Sequence, residues 1–381
     1  METVAVLIVG AGPSGLAISA CLTLHSIPFI ILEREDCYAS LWKKRTYDRL
    51  SLHLAKEFCH LPFAKHPRTA KTYIPKDAFL RYIDDYVSHF KINPRYHRSV
   101  ESAELDKVQG KWRIEAHNII DEKMEVYFAN FLVIASGENS EGYIPDIPGL
   151  DGFQGEIVHS SHYKSGLKYQ NKDVLVVGCG NSGMEVAYDL SNYHARTFIV
   201  VRSPFHVLTK GIVHLGMSLL KWFSVDAVDK VTLLLARFIY GNLSKYGIHQ
   251  PKLGPFVQKV LTGRSPVIDV GTVKKIKSGE IKVLPGISRI NGNNVVFDDS
   301  KEIKFDAIVF ATGYKSTVTR WLKDYKYIMN EDGMPKESFP SHWKGENGLH
   351  CAGFSRRGLS GITTDAMAIA DDIYKVYTSK K

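Results

Sequence analysis

The stretch "VLIVGAGPSGLAISACL", residues 6–22, decides the fold of this chain. An apolar run rich in β-branched residues, typical of a buried parallel strand, ends at Gly10, and apolar residues at helical spacing follow Gly15. In such a turn the first glycine permits a tight bend, the second lets the backbone approach a pyrophosphate, and the third lets helix and strand pack closely. The sequence therefore predicts a dinucleotide site formed by Gly10, Ala11, Gly12, Pro13, Ser14 and Gly15.

The next apolar segment, "PFIILERE", carries an acid where this kind of site needs one. Glu33 ends the predicted strand, and a carboxylate at that place accepts the ribose hydroxyls of an adenosine. A dinucleotide site at the extreme N-terminus is typical of chains that bind FAD. We therefore expect FAD as the first cofactor.

A second stretch, "VLVVGCGNSGMEVAYDL", residues 174–190, repeats the first glycine for glycine. It predicts a second dinucleotide site at Gly178, Cys179, Gly180, Asn181, Ser182 and Gly183. The following strand, "RTFIVVRS", offers Arg202 where an acid would bind ribose hydroxyls, and a guanidinium suits a 2′-phosphate. This favours NADPH as the second nucleotide, the alternative being a solvated arginine that only ends a strand.

Each glycine turn is followed, at a similar distance, by an apolar strand that ends in a hydroxyl residue and glycine. These strands are "FLVIASGEN" and "DAIVFATGY", and a duplicated nucleotide-binding plan explains both. We predict an α/β fold with two Rossmann-like domains. The FAD domain is discontinuous, residues 1–165 and 306–381, and the NADPH domain, 166–305, is inserted. Amphipathic helices within 207–246 either pack on the core or cover a substrate channel.

Composition limits the possible partners of the chain. Its 381 residues carry 49 Lys and Arg against 40 Asp and Glu, a formal charge of +9 that favours anionic ligands and permits weak membrane association. No long run of like charges indicates nucleic-acid binding. Five scattered cysteines without a C-x-x-C pair favour a reducing compartment over a disulfide scaffold, and we expect no metal site.

Targeting and spanning segments are not expected either. The first strand begins near Val4, which leaves no room for a signal peptide before it. The longest apolar segment, 212–223, is interrupted by His214 and Lys221 and is shorter than the roughly 20 residues of a spanning helix. We therefore expect a cytoplasmic protein with no transmembrane segment.

Two dinucleotides in one chain indicate hydride transfer from a nicotinamide to a flavin. A disulfide acceptor would need a pair of cysteines at useful spacing, which the sequence lacks. A membrane quinone would need a docking surface, which 212–223 and 231–240 could provide, and the remaining acceptor is oxygen. A flavoprotein that forms no oxygenating species stays open as an alternative.

The segment between the turns, "FQGEIVHSSHYK", residues 153–164, carries a family resemblance. The pattern F-x-G-x-x-x-H-x-x-x-Y is met by Phe153, Gly155, His159 and Tyr163, and with it the chain resembles the flavin-containing monooxygenases and their Baeyer–Villiger relatives. Within them it is similar to the plant YUCCA group, through "SGEN" (136–139), "SPVIDVGTV" (265–273), "FATGYKS" (310–316) and "GLHCAGFSRRGLSG" (348–361). The sequence Ala135-Ser136-Gly137 departs from the usual Ala-Thr-Gly but keeps the hydroxyl.

The resemblance implies a reaction and a substrate. NADPH would reduce FAD, the reduced flavin would add oxygen at C4a, and the resulting (hydro)peroxide would attack a small molecule. Members of the YUCCA group convert indole-3-pyruvate, a 2-oxo acid, to indole-3-acetate in auxin biosynthesis, with O2 as co-substrate. An enzyme that oxygenates nitrogen or sulfur in another small substrate would share every motif, so it stays open.

The resemblance also implies roles for single residues. Asn139 would hold NADP and the peroxide as the catalytic side chain, the alternative being an Asn that forms a turn. Trp42 and Arg49 lie in the segment that lines the isoalloxazine in the family. Alternatively, Trp42 is a core aromatic residue and Arg49 a surface partner of Asp48.

Other residues are left with broader expectations. A helix N-terminus near Gly361 could face the N1–O2 edge of the flavin, where reduction places negative charge. Lys315, Arg356 and Arg357 are candidates to meet a substrate carboxylate or the cofactor phosphates. His159 and Tyr163 could be metal ligands in principle, but the family reading makes their motif a turn between the domains.

Overall fold

The computed structural model describes residues 1–379, and the chain divides into two compact units. Unit 1 comprises Met1–Lys44, Ala55–Glu141 and the chain from Tyr314 onward, and unit 2 comprises Arg45–Leu54 and Gly142–Gly313. The sequence predicts domain boundaries after residues 165 and 305. In the structure, the chain passes from unit 1 to unit 2 after residue 141 and returns to unit 1 after residue 313. The short segment Arg45–Leu54 also belongs to unit 2 rather than to the unit that precedes it.

Unit 1 is built on a mixed sheet of six strands. Its parallel part orders the strands as Phe29–Leu32, Glu2–Val9 and Lys123–Ile134, and Leu349–Cys351 pairs in parallel with the end of the last of these. Two antiparallel strands extend the sheet: Lys111–Asn118 pairs with Lys123–Ile134, and Arg98–Asp106 pairs with Lys111–Asn118. Residues 6–9 of the first strand are buried, as their continuous apolar sequence predicts.

The helices of unit 1 come from both the N-terminal and the C-terminal parts of the chain. The final helix returns to unit 1 after the whole of unit 2, which makes the unit discontinuous. The helices are Pro13–Leu24, Ser40–Lys44, Lys76–His89, Val318–Trp321 and Gly358–Ser379, with 3-10 turns at Lys56–Phe58 and Tyr325–Tyr327.

Unit 2 contains an all-parallel sheet of five strands. Their order is Ile281–Leu284, Arg196–Val200, Asp173–Val177, Ala307–Phe310 and Glu156–His159. Smaller sheets join Val207–Leu208 to Val267–Ile268 in parallel and order Ile287–Asn291, Asn294–Phe297 and Glu302–Lys304 as an antiparallel meander.

The helices of unit 2 include the amphipathic pair expected from the sequence. They are Asn181–Asn192, Lys210–Leu219, Val225–Tyr240, Pro255–Thr262 and Thr272–Ser278, with 3-10 turns at Leu150–Gly152, Gly166–Tyr169 and Ser244–Tyr246. Within residues 1–379, no helix is both long enough and apolar enough to cross a membrane.

The predicted fold class is confirmed. Each unit has parallel strands, and in each the first strand of the motif leads through a glycine turn into a 12-residue helix. The first unit is discontinuous, and both pieces of the second, Arg45–Leu54 and Gly142–Gly313, are inserted in it.

Candidate functional site

The first glycine turn uses its three glycines in different ways. Gly10 has φ +105°, and a Cβ there would lie 2.7 Å from the carbonyl oxygen of Ala135. A Cβ on Gly15 would lie 2.0 Å from the carbonyl oxygen of Gly10. A Cβ on Gly12 would meet nothing within 4 Å. The fold therefore requires Gly10 and Gly15 but not Gly12.

The second glycine turn repeats this arrangement. Gly178 has φ +110°, and its Cβ would lie 2.4 Å from the carbonyl oxygen of Ala311. A Cβ on Gly183 would lie 1.9 Å from the carbonyl oxygen of Gly178, whereas a Cβ on Gly180 would meet nothing within 4 Å. The two turns thus leave open space at the same middle glycine.

That open space lies at the N-terminus of a helix in both units. Gly12 and Gly180 are the N-cap residues of their helices, without a side-chain cap and without an acidic residue in the first turn. The uncapped N–H groups and the helix dipole attract negative charge, so both turns fit a pyrophosphate. The residues present therefore fit two dinucleotides, FAD and NADPH.

Glu33 joins the end of its strand to the first glycine turn. One carboxylate oxygen accepts the N–H of Ala11 at 2.7 Å and the other accepts the N–H of Glu35 at 3.0 Å. Burial raises the pKa of Glu33, although these two N–H donors oppose the shift. Each oxygen keeps a further lone pair, so hydrogen bonds from ribose hydroxyls are compatible with this arrangement.

Arg202 lies close to the second glycine turn. It follows the strand Arg196–Val200 and is exposed. Val200 pairs with Val177 in the parallel sheet, so the chain at Arg202 and the turn at Gly178 leave the same edge of that sheet. Burial raises the pKa of the Cys179 thiol to about 11, and a backbone hydrogen bond and the charge of Arg202 oppose the shift. This proximity is what a 2′-phosphate site beside the turn requires.

The C-terminal segment reaches the first glycine turn within unit 1. Gly353 has φ +84°, and a Cβ there would lie 2.0 Å from the Oγ of Ser14. Fully buried Asp365 accepts the N–H of Gly353 at 3.0 Å. The helix expected near Gly361 begins at Gly358.

The structure places the remaining predicted residues of unit 1 as follows. Asn139 is exposed in a turn that Ser140 closes, its hydroxyl donating to the carbonyl oxygens of Ser136 and Gly137. Trp42 is half-buried and packs on Phe79, with ring centroids 4.6 Å apart.

The three candidate cations of unit 1 lie on its surface. Lys315, Arg356 and Arg357 are all exposed. The guanidinium of Arg357 lies over the ring of Phe339 at 4.1 Å.

Arg49 lies in unit 2 and lines a cavity of about 450 Å³. Its guanidinium stacks over the ring of Tyr188 at 4.4 Å, and its buried Nη1 has no hydrogen-bond partner within residues 1–379. On the same cavity lies Glu185, which is 4% exposed and pairs with the Nε2 of His53 at 2.9 Å. The cavity is also lined by Ser51, Thr209, Lys210, Gly211, Asp269 and Val270.

Within residues 1–379, neither thiols nor metal ligands form a further centre. All five cysteines are free. Within the described part of the chain, no group of three or more His, Cys, Asp or Glu side chains could hold a metal ion.

Comparison with known families decides the class. Residues 3–364 match the family Flavin-binding monooxygenase-like. The chain belongs to this family. This monooxygenase is 56% identical over 382 residues to "Probable indole-3-pyruvate monooxygenase YUCCA10" of Arabidopsis thaliana, with 100% of both chains covered. It is 46% identical to "Indole-3-pyruvate monooxygenase YUCCA6" of Arabidopsis thaliana, over 97% of this chain and 90% of that protein.

A solved structure has the same fold as this monooxygenase. The flavin-containing monooxygenase from Stenotrophomonas maltophilia superposes with a TM-score of 0.74 at 19% identity, covering 99% of this chain and 100% of the other. The predicted family and the predicted class of enzyme are therefore confirmed.

In this monooxygenase the identifying motif at residues 153–163 contacts the rest of unit 2. Buried Tyr163 donates its hydroxyl to Asp189 at 2.7 Å, and Asp189 also accepts the N–H of Gly166 at 2.7 Å. The Nε2 of His159 bonds the carbonyl oxygen of Gly313 at 3.0 Å, and burial lowers the pKa of His159. These contacts fix His159 to the chain at Gly313 and Tyr163 to the helix Asn181–Asn192, which is a structural role.

Sequence reasoning missed the pair formed by His53 and Glu185. Glu185 follows Asn181 by four residues in the helix Asn181–Asn192, so both side chains lie on the same face of the helix. Glu185 is therefore one helical turn further from the glycine turn than Asn181. Asn181 itself accepts the N–H of Ile268 at 2.7 Å, which fixes the strand Val267–Ile268 to the turn. The spacing of four residues from Asn181 could have pointed to Glu185 as a residue near the turn. No local pattern in the sequence indicates that His53 would pair with it.

Proposed function

We propose that this monooxygenase uses FAD and NADPH to convert indole-3-pyruvate to indole-3-acetate. The reaction takes one 2-oxo acid, one O2, one NADPH and one proton. It gives the acid shortened by one carbon, CO2, water and NADP⁺. One oxygen atom enters the new carboxylate and the other leaves as water.

The observation that carries the proposal is the pair of open middle glycines, Gly12 and Gly180. Packing forbids a side chain at the outer glycines of each turn, but nothing in the protein occupies the space beside the middle ones. Because both glycines are also the N-caps of uncapped helices, a pyrophosphate that approaches the backbone accounts for glycine at these two places. Two such places support two dinucleotides.

Residues of each unit are assigned to one cofactor. In unit 1, the turn around Gly12 holds the FAD pyrophosphate and Glu33 its ribose. In unit 2, the turn around Gly180 holds the NADPH pyrophosphate and Arg202 its 2′-phosphate. The bound flavin supplies hydride acceptance and oxygen activation.

Roles near the reacting atoms are assigned to fewer side chains. An amide both donates and accepts, so Asn139, in its exposed turn, can bond a nucleotide on one side and substrate oxygen on the other. Arg49, whose buried Nη1 lacks a partner within residues 1–379, offers an N–H to an anionic or carbonyl oxygen entering the cavity. Flavin contact by Trp42 remains the expectation drawn from the family.

The substrate is proposed from the relatives. YUCCA10 and YUCCA6 both carry indole-3-pyruvate in their names, and the first matches this chain over its full length. Cytoplasmic location and weak membrane association stay predictions from the sequence.

A single incubation tests the proposal. Purified, flavin-loaded protein is mixed with NADPH, oxygen and indole-3-pyruvate, and NADPH loss, hydrogen peroxide and indole-3-acetate are followed together. One acid formed per NADPH consumed supports the proposal. NADPH consumed with only hydrogen peroxide released rejects this substrate and directs the search to nitrogen and sulfur nucleophiles. A flavin-loaded enzyme that consumes no NADPH rejects the two-nucleotide function itself.

A further inference from the structure

The helical segment 210–264 of unit 2 exposes an unusual amount of apolar surface. Thirteen large apolar side chains of residues 1–379 are more than half exposed, and six of them fall between residues 222 and 261. These six are Trp222 (82%), Phe223 (58%), Leu234 (69%), Phe238 (89%), Val260 (74%) and Leu261 (67%). Such a concentration on a globular protein marks an interaction surface.

Helix Val225–Tyr240 shows that this exposure is patterned. Val228, Thr232 and Ala236 form its buried stripe. Val231, Leu234 and Phe238, at spacings of three and four residues, form a second apolar stripe that is exposed. One side of the helix therefore packs in unit 2, and another apolar side has no partner within residues 1–379.

The charge of the same segment is strongly one-sided. Residues 210–264 contain eight Lys and Arg and two Asp, which is a net +6 of the +9 carried by the whole chain. One of the two acids, Asp229, is 4% exposed and accepts the N–H groups of Phe256 and Val257 at 2.8 and 3.0 Å. The outward charge is therefore almost wholly positive.

We propose that segment 210–264 docks on the surface of a membrane that contains anionic lipid. Exposed aromatic and aliphatic side chains beside Lys and Arg are what a surface-bound helix inserts between headgroups. The 16-residue helix Val225–Tyr240 is about 24 Å long, which is shorter than the hydrocarbon core, so the segment lies on the membrane and does not span it. A second copy of the chain is disfavoured because two faces of like charge repel each other.

Vesicle binding by the full-length, flavin-loaded enzyme tests this proposal. The enzyme is sedimented with vesicles of phosphatidylcholine alone and of phosphatidylcholine with phosphatidylserine, at low and high salt. We expect binding to the anionic vesicles, weakened by high salt. A double variant, Trp222→Ser with Phe238→Ser, should lower the bound fraction about tenfold or more. Its matched control is Val108→Ser with Ile120→Ser, which removes two apolar side chains of 97% and 65% exposure elsewhere.

A charge test separates lipid from other occupants. Lys230→Glu with Arg237→Glu should abolish anionic vesicle binding, whereas Lys107→Glu with Lys323→Glu, also at exposed positions, should leave it unchanged. The proposal is overturned if both double variants lose vesicle binding equally, or if the wild type does not bind anionic vesicles. A dimer in light scattering that the Trp222 and Phe238 changes dissolve, without vesicle binding, assigns the surface to a second copy instead. Because the readout is vesicle binding, its failure leaves the proposed oxidation untouched.

Discussion

The middle glycines of the two turns make the cofactor assignment testable one residue at a time. Gly12→Ala adds a Cβ where the protein has no atom within 4 Å, so we expect a folded protein with little bound flavin. Gly180→Ala should keep the flavin and raise the KM for NADPH about tenfold or more, since one displaced phosphate contact costs that much. Flavin absorbance and NADPH titration measure the two effects.

The matched control for these variants is Gly152→Ala. Gly152 also has open space for a Cβ but lies outside both turns. It should retain wild-type flavin content and KM. A Gly12→Ala protein with full flavin, or a Gly180→Ala protein with unchanged KM, would show that the open space is not a pyrophosphate site.

Arg202 decides between the two nicotinamide cofactors. Arg202→Gln removes the guanidinium beside the second turn, so the KM for NADPH should rise about 10- to 100-fold while that for NADH changes little. Arg196→Gln is the control, because Arg196 pairs with Asp173 at the opposite end of the same strand. Steady-state kinetics with both cofactors checks the result, and an unchanged preference for NADPH would make Arg202 a solvated strand end.

The family's identifying motif at residues 153–163 stabilises the packing of unit 2 through the bond from Tyr163 to the helix Asn181–Asn192. Tyr163→Phe removes the buried bond to Asp189, so the free energy of unfolding should fall by about 1–3 kcal/mol with little change in the KM for NADPH. Tyr169→Phe, which removes a longer bond of 3.3 Å to half-exposed Glu156, should cost less. Denaturant unfolding measures both, and a Tyr163→Phe protein of normal stability but impaired kinetics would assign the motif a functional role.

The C-terminal helix carries a pH-dependent contact with its neighbouring strand. Hydrogen bonds from His350 and Lys344 lower the pKa of Asp372 from 3.8 to about 2, and burial partly opposes them. A lowered carboxyl pKa gives stability that is present above pH 3.8 and lost as pH falls towards 2. Asp372→Asn should therefore lower stability at pH 7 and flatten the acid unfolding curve in that window. Asp371→Asn, at the more exposed neighbour, should keep the wild-type pH dependence.

Local sequence predicts the elements better than it predicts their long-range contacts. Strand, turn and helix around Gly10 and Gly178 follow from apolar patterning and glycine spacing within about twenty residues. The cavity beside Arg49 does not, because segment Arg45–Leu54 packs with residues more than ninety positions later. No periodicity in that segment indicates that His53 will meet Glu185.

For the whole molecule, the duplication is visible in the sequence, and the boundaries that the sequence predicts differ from those of the compact units. Two glycine turns predict two units. The two apolar strands that end in a hydroxyl residue and glycine, Ser136-Gly137 and Thr312-Gly313, each pair with the first strand of their unit's motif. The predicted boundaries at residues 165 and 305 relied on the identifying motif as a turn between domains. In the structure the strand Glu156–His159 pairs with Ala307–Phe310, so the motif belongs to the sheet of unit 2.

Ligand-dependent hydrogen exchange of the full chain tests this division. Adding FAD to flavin-free protein should protect amides of unit 1, first at residues 9–16 and 33–35, because a ligand that binds the native state suppresses opening of the unit that holds it. Adding NADP⁺ to flavin-loaded protein should protect residues 178–184 and 200–202. Strand Glu156–His159 discriminates between the predicted domains and the compact units. If the strand belongs to unit 2, its amides should become protected when NADP⁺ is added. Protection of that strand by FAD alone would favour the boundary at residue 165, and the Gly180→Ala variant, which should lose only the NADP⁺ response, supplies the control.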